Sequence, residues 1–219
     1  MPLSTNEEII RAYDKKYQDR TSVLIPDGIV DPEQYGGILF LLKEAYSREK
    51  GRGTWYLCDG LAQYGPWGMW HHVAKWTHGL LHTTRERIEP YARWMDHDQA
   101  NGLLRKIAAV NVKKIDGRSS SKAEDLERFV SENAELLRRQ IELAKPRVIV
   151  CGNTFRYLQT IFGTKPERHC ENWYYWMDLG ELKDVLVLDY YHPAVRYPEL
   201  MTYYGLMGCY QQALRSRTE

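Results

Sequence analysis

A chain of 219 residues, 43% hydrophobic and 27% charged, is long enough for one sizeable core and falls in the globular range. Its net charge of +1 excludes a globally basic nucleic-acid binder but leaves room for a local basic patch, which is all that phosphate contact requires. With no signal-peptide pattern, no long apolar span and no convincing linker, a single cytoplasmic domain over residues 1–219 is expected. Cys58, Cys151, Cys170 and Cys209 are scattered without close pairs, which argues against a zinc ribbon or a disulfide framework.

In chain order, Ser4 and Thr5 precede Glu7 and Glu8 in overlapping capping-box registers, and Ile9, Ile10, Tyr13 and Tyr17 mark one face of an amphipathic helix. Pro26, Gly28, Asp31 and Pro32 signal a loop. The apolar run Gly37 to Leu42 then has strand length and stops at Lys43 and Glu44. Ala45 to Gly53 carries Arg48, Lys50 and Arg52 against Glu49 and reads as a mildly basic loop within reach of phosphate. Between Thr54 and Arg105 gather Trp55, Trp67, Trp70, Trp76 and Trp94 with His71, His72, His78, His82 and His97, and two helices are predicted near 67–82 and 84–101. His78 and His82 share a helical face at a spacing that can hold a metal. No Glu-flanked zinc pattern or paired Cys/His set accompanies them, so the histidines read as structural or surface residues and no metal is predicted. The tryptophans read first as core, with base stacking as the functional alternative.

Ile107 to Asn111 is a second apolar run, followed by Lys113, Lys114, Gly117 and three serines. Ser121 and Glu124 form a capping-box pattern that starts a helix near Lys122. Leu126, Phe129, Val130, Asn133, Leu137 and Ile141 place one stripe of it against a core, and Pro146 closes it. Arg147 to Cys151 is a third strand, and Gly152 and Asn153 open the turn after it. Strand, helix and strand in this order imply a parallel pair with a right-handed crossover. Thr154 to Phe162 reads as a short helix, and Gly163 to Glu181 as an aromatic connection holding Trp173, Tyr174, Tyr175 and Trp176. Asp184 to Asp189 is the fourth apolar run, exiting into Tyr190, Tyr191, His192 and Pro193. Pro198 suits a first helical turn, and Leu200 to Leu214 can form a last helix. The expected fold is a three-layer α/β/α arrangement around a four-stranded, mainly parallel sheet.

Open parallel sheets bind ligands outside the carboxyl ends of their strands. Those ends carry Glu44, Asn111, Gly152 with Asn153, and His192, one contribution from each predicted strand. Lys43-Glu44-Ala45-Tyr46-Ser47 is similar to the first motif of the uracil-DNA glycosylase superfamily, of the type Gly-Gln-Asp-Pro-Tyr or Gly-Glu-Ala-Pro-Gly. Asn111, in Val110-Asn111-Val112-Lys113-Lys114, resembles that family's asparagine at the end of the second strand. Cys151-Gly152-Asn153 looks like its Gly-Ser loop, and Tyr191-His192-Pro193-Ala194 like its His-Pro-Ser motif. The resemblance covers about residues 36–215, with 1–35 as an N-terminal helix and loop and 54–105 as an aromatic helical insertion.

The resemblance implies a monofunctional DNA glycosylase with Glu44, Asn111 and His192 as catalytic residues and Ala45, Tyr46, Ser47 and Lys113 around the substrate. It departs from the family at Lys43 and Tyr46, which replace Gly and Pro, and at Ala45, where some members carry a catalytic Asp. The cysteine quartet of iron–sulfur subfamilies is missing, so no cofactor is expected. Ser47 stands where uracil-specific members of one subfamily block C5 substituents with Tyr, so a small residue there implies room for a larger base. Breaking an N-glycosidic bond builds positive charge on the sugar and negative charge on the base. His192 can donate to the departing base, Asn111 can read its edge, and Glu44 can orient water or offset the sugar's charge.

Backbone N–H groups at Gly152 and Asn153 suit a phosphate, and Lys113, Lys114, Arg118, Lys122 and Arg196 form a candidate basic rim on DNA, single- or double-stranded. A monomer acting on uracil, another deaminated base or a bulky C5-modified pyrimidine is expected, in repair or in defence against modified viral DNA. The altered first motif motivates the alternative, a non-catalytic module that binds nucleic acid or a nucleotide on the same fold. A generic nucleotide-binding protein is disfavoured, because no phosphate-loop lysine motif or Gly-rich dinucleotide fingerprint is present.

Overall fold

The computed structural model describes residues 3–46, 51, 53–116, 122–164 and 173–217. Helix α1 (Asn6–Lys16) starts at Thr5, whose side chain accepts from the Glu8 N–H while Glu8 returns the bond, so the predicted capping box is formed. Strands β1 (Val23–Leu24) and β2 (Gly28–Ile29) are two-residue pieces around the turn at Asp27. Then come β3 (Ile38–Glu44), β4 (Gly53–Thr54), α2 (Leu57–Tyr64), α3 (Trp70–His82), α4 (His97–Leu104), β5 (Ile107–Lys113) and α5 (Ala123–Ala144). The chain closes with β6 (Val148–Gly152), α6 (Phe155–Phe162), β7 (Tyr174–Leu179), β8 (Leu182–Tyr190) and α7 (Glu199–Ser216).

The main sheet runs in the order β2-β5-β3-β6-β8-β7. The four predicted strands β5, β3, β6 and β8 are its parallel centre, and β2 and β7 add an antiparallel edge on either side. Among the described residues the sheet therefore has six strands rather than the expected four. β7 arises where an aromatic connection was expected: Gly180, at φ +62°, and Glu181 form a tight hairpin turn that folds Tyr174–Leu179 back onto β8. Residues 84–96 also depart from expectation. They are not helical, because Pro90 interrupts the segment and α4 starts only after Asp96 caps it in a box with Gln99.

Alternation along β3 builds the two halves of the core. Ile38, Phe40 and Leu42 face a cluster containing residues of α2, α3, α4 and α7, whereas Leu39 and Leu41 face one containing residues of α5 and α6. A strand buried on both faces must be apolar at every position, which is why β3 reads as an unbroken hydrophobic run. The helices thus cover both faces of a mixed, mostly parallel sheet. Strand order reverses at β3, the place in such sheets where the strand ends open a crevice. No helix among the described residues is long and apolar enough to cross a membrane.

Candidate active site at the carboxyl ends of the strands

A cleft of about 710 Å3 opens at these strand ends, a size typical of small-molecule sites. Its polar floor brings together Glu44 from β3, Asn111 from β5 and His192 from the turn after β8, and Ala45 and Tyr46 continue the rim. Three tryptophans form its wall: Trp67 lies with its ring centroid 6.2 Å from Trp55 and 6.4 Å from Trp70. Gly60 permits this packing, since a β-carbon there would come within 3.2 Å of Trp55 and 3.4 Å of Trp67. Trp67 lines the cleft and keeps 38% of its surface exposed.

Glu44 stands opposite Lys113 in the parallel register, and the Lys113 ammonium donates to Glu44 Oε2 at 2.9 Å. Lys113 therefore reaches the site through Glu44. Asn111 is buried, and both its backbone N–H and its side-chain amide donate to Asp27 Oδ2, at 2.8 and 3.0 Å. Asp27 is the residue that sequence reasoning missed. It lies among turn-forming residues, and only its place beside the end of β5 gives it a role.

His192 accepts from the Ala194 N–H at Nδ1 (3.2 Å), which leaves its neutral form protonated at Nε2. Burial and the Lys43 ammonium push its pKa down to about 4, so near neutral pH the imidazole is an uncharged donor. Gly152 seats the turn: a β-carbon there would approach Leu42 at 2.9 Å and Pro193 at 3.3 Å. On the far side, His72 donates from Nδ1 to the Pro193 carbonyl (2.7 Å) and meets Glu199 through Nε2 (2.8 Å). Tyr91 and Lys75 also donate to Glu199, and these bonds, Tyr91 foremost, hold its carboxyl down at about 2.

Two parts of the expected phosphate site are corrected. Lys114 is only 2% exposed. The pleat turns it away from Lys113 and onto Asp27 Oδ1 at 2.5 Å, so it cannot meet DNA. The Asn153 N–H is committed to the Tyr190 carbonyl (2.8 Å), because bonding between β6 and β8 continues one residue beyond β6, and this removes it from a phosphate cradle. Arg196 and Lys122 are exposed, as a rim requires. Ser47, Arg118 and Ser121, the expected helix cap, lie outside the described residues, and the N-cap position of α5 is Lys122, without a side-chain capping bond. His78 and His82 do share a face, with rings 4.5 Å apart, but among the described residues no group of three or more His, Cys, Asp or Glu is arranged to hold a metal.

No protein-family model matches the chain, and no curated protein matches it significantly.

Proposed function

We propose that the protein is a monofunctional DNA glycosylase that hydrolyses the N-glycosidic bond of a flipped-out pyrimidine, deaminated or modified at C5. The observation that carries this reading is the meeting of Glu44, Asn111 and His192, from three different strand ends, on the floor of one cleft. They are also the residues on which the resemblance to uracil-DNA glycosylases rests.

Each group has a task that its environment suits. As the bond from C1′ to the base breaks, its electron pair leaves with the base, and the Nε2–H of neutral His192 donates to the developing anion. Glu44 offsets the positive charge on the sugar and takes a proton from the water that adds to C1′, while Lys113 keeps one of its oxygens oriented. Asn111 holds the edge of the base. A base inside a duplex cannot reach this floor, so it must swing out or come from a single strand. The tryptophan wall and the volume of the cleft favour a base with a large C5 substituent, and hence a role in defence against modified viral DNA. Incubation with single- and double-stranded DNA containing uracil, hypoxanthine, or hydroxymethylated or glucosylated cytosine, followed by mass spectrometry of free bases, tests this. Release of one of the pyrimidines is expected, and release of hypoxanthine alone would contradict the reading.

One observation favours a second reading. The Lys113 ammonium occupies one oxygen of Glu44, the sole carboxylate of the altered first motif. A binding module on the same fold would hold these DNAs and release no base from any of them.

A further inference from the structure

Asp27 sits under the floor of the cleft at the centre of a buried polar network. Its Oδ1 accepts from Lys114 (2.5 Å) and Gln140 (3.2 Å), and its Oδ2 from the backbone and side chain of Asn111 (2.8 and 3.0 Å). Its own carbonyl accepts from Asn6 (3.0 Å) and Gln140 (2.8 Å), and β2 anchors the turn onto β5. Asp27, Asn111, Lys114 and Gln140 are all at most 3% exposed.

An ionised carboxylate only accepts hydrogen bonds, so the amide of Asn111 must turn its NH2 group toward Asp27. The opposite orientation would set an amide oxygen against a carboxylate oxygen at a separation too short to admit a water. This matters because the two amide orientations read different bases. A uracil-type edge presents an acceptor at O4 and a donor at N3, whereas a cytosine-type edge presents a donor at N4 and an acceptor at N3. An amide free to turn over pairs with either; a fixed one pairs with only one of them.

We infer that Asp27 is a specificity-determining positioning residue: by locking the Asn111 amide in one orientation, it makes the cleft discriminate between uracil-type and cytosine-type pyrimidines. The inference rests on the glycosylase reading for its consequence, though the lock itself does not.

Asp27→Ala tests it, because it removes the acceptor that holds the Asn111 NH2 group and leaves that amide able to take either orientation. The pair Asp27→Ala with Lys114→Met also removes the buried ammonium that would otherwise lose its partner. Base release is compared on oligonucleotides identical except for a uracil-type or cytosine-type target carrying the same C5 substituent. In the folded variant, the ratio of kcat/KM between the two targets is expected to fall at least about tenfold. An unchanged ratio overturns the inference. NMR of the wild-type protein labelled with 15N-asparagine tests the lock without any activity. The Asn111 side chain, assigned by its loss in Asn111→Ala, is expected to show one amide proton shifted well downfield by its bond to the carboxylate. Ordinary shifts for both protons overturn the lock, whereas a shifted proton in a protein that releases no base leaves the lock standing and removes only the glycosylase reading.

Discussion

The floor and the wall of the cleft are held by opposite means. Glu44 ends β3, Asn111 lies two residues before the end of β5 and His192 follows β8, and each is tied by hydrogen bonds to a specific partner: Lys113, Asp27 and the Ala194 N–H. Trp55, Trp67 and Trp70 come from loops and a helix start and are held by packing on one another and on Gly60. Hydrogen bonds among buried groups fix orientation, because the alternatives leave polar atoms unpaired. Ring packing fixes shape while tolerating changes of shape. On the proposed glycosylase reading, the floor would set reaction rate and the wall would set the size of the base.

Glu44→Gln gives the largest effect outside His192: kcat should fall by about 100-fold or more, the lower range for loss of a general base, with DNA affinity retained. A parallel loss of DNA binding would show that Glu44 only shapes the floor. Trp67→Ala should raise KM by about tenfold, the value of one base–aromatic contact, and leave kcat nearly unchanged. An equal fall in kcat would place the wall in the reaction itself and erase the contrast. Arg196→Ala, on the exposed rim, should lower the slope of log affinity against log salt by about one; an unaltered slope removes Arg196 from the phosphate contacts.

The smallest effect is in the pH profile. Because the pKa of His192 is depressed from 6.5 to about 4, its protonation adds no limb to the rate profile above about pH 5. The same shift makes the unfolded state bind the extra proton first. The stability from neutral His192 is complete above about pH 6.5 and is lost as pH falls through about 4. Thermal melts of wild type and His192→Ala should converge as pH falls over that window; parallel melting curves would count against the depressed pKa.

Legibility in the sequence followed local chemistry. The parallel centre could be read because doubly buried strands are continuous apolar runs, and α1 because its capping box is a local pattern. Glu44, Asn111 and His192 stood out because each closes such a run. β7 was hidden because its polar and aromatic residues lie on an edge and only the Gly180 turn marks the hairpin. Lys113 and Lys114 look alike in sequence, yet one meets Glu44 at the cleft and the other is buried on Asp27. That division depends on which side of the strand each leaves and on a partner more than eighty residues away, and neither is written near them. Asp27 was missed for the same reason.

His192, held neutral and pointed by its Nδ1 bond, is proposed to stabilise a departing base. Single-turnover base release by wild type and His192→Ala, on the best substrate of the modified-DNA panel and with DNA affinity measured alongside, tests it most directly. A rate loss on the order of 100-fold or more at unchanged affinity is expected, the scale of losing one anion-stabilising donor. Equal rates in the two proteins would contradict it.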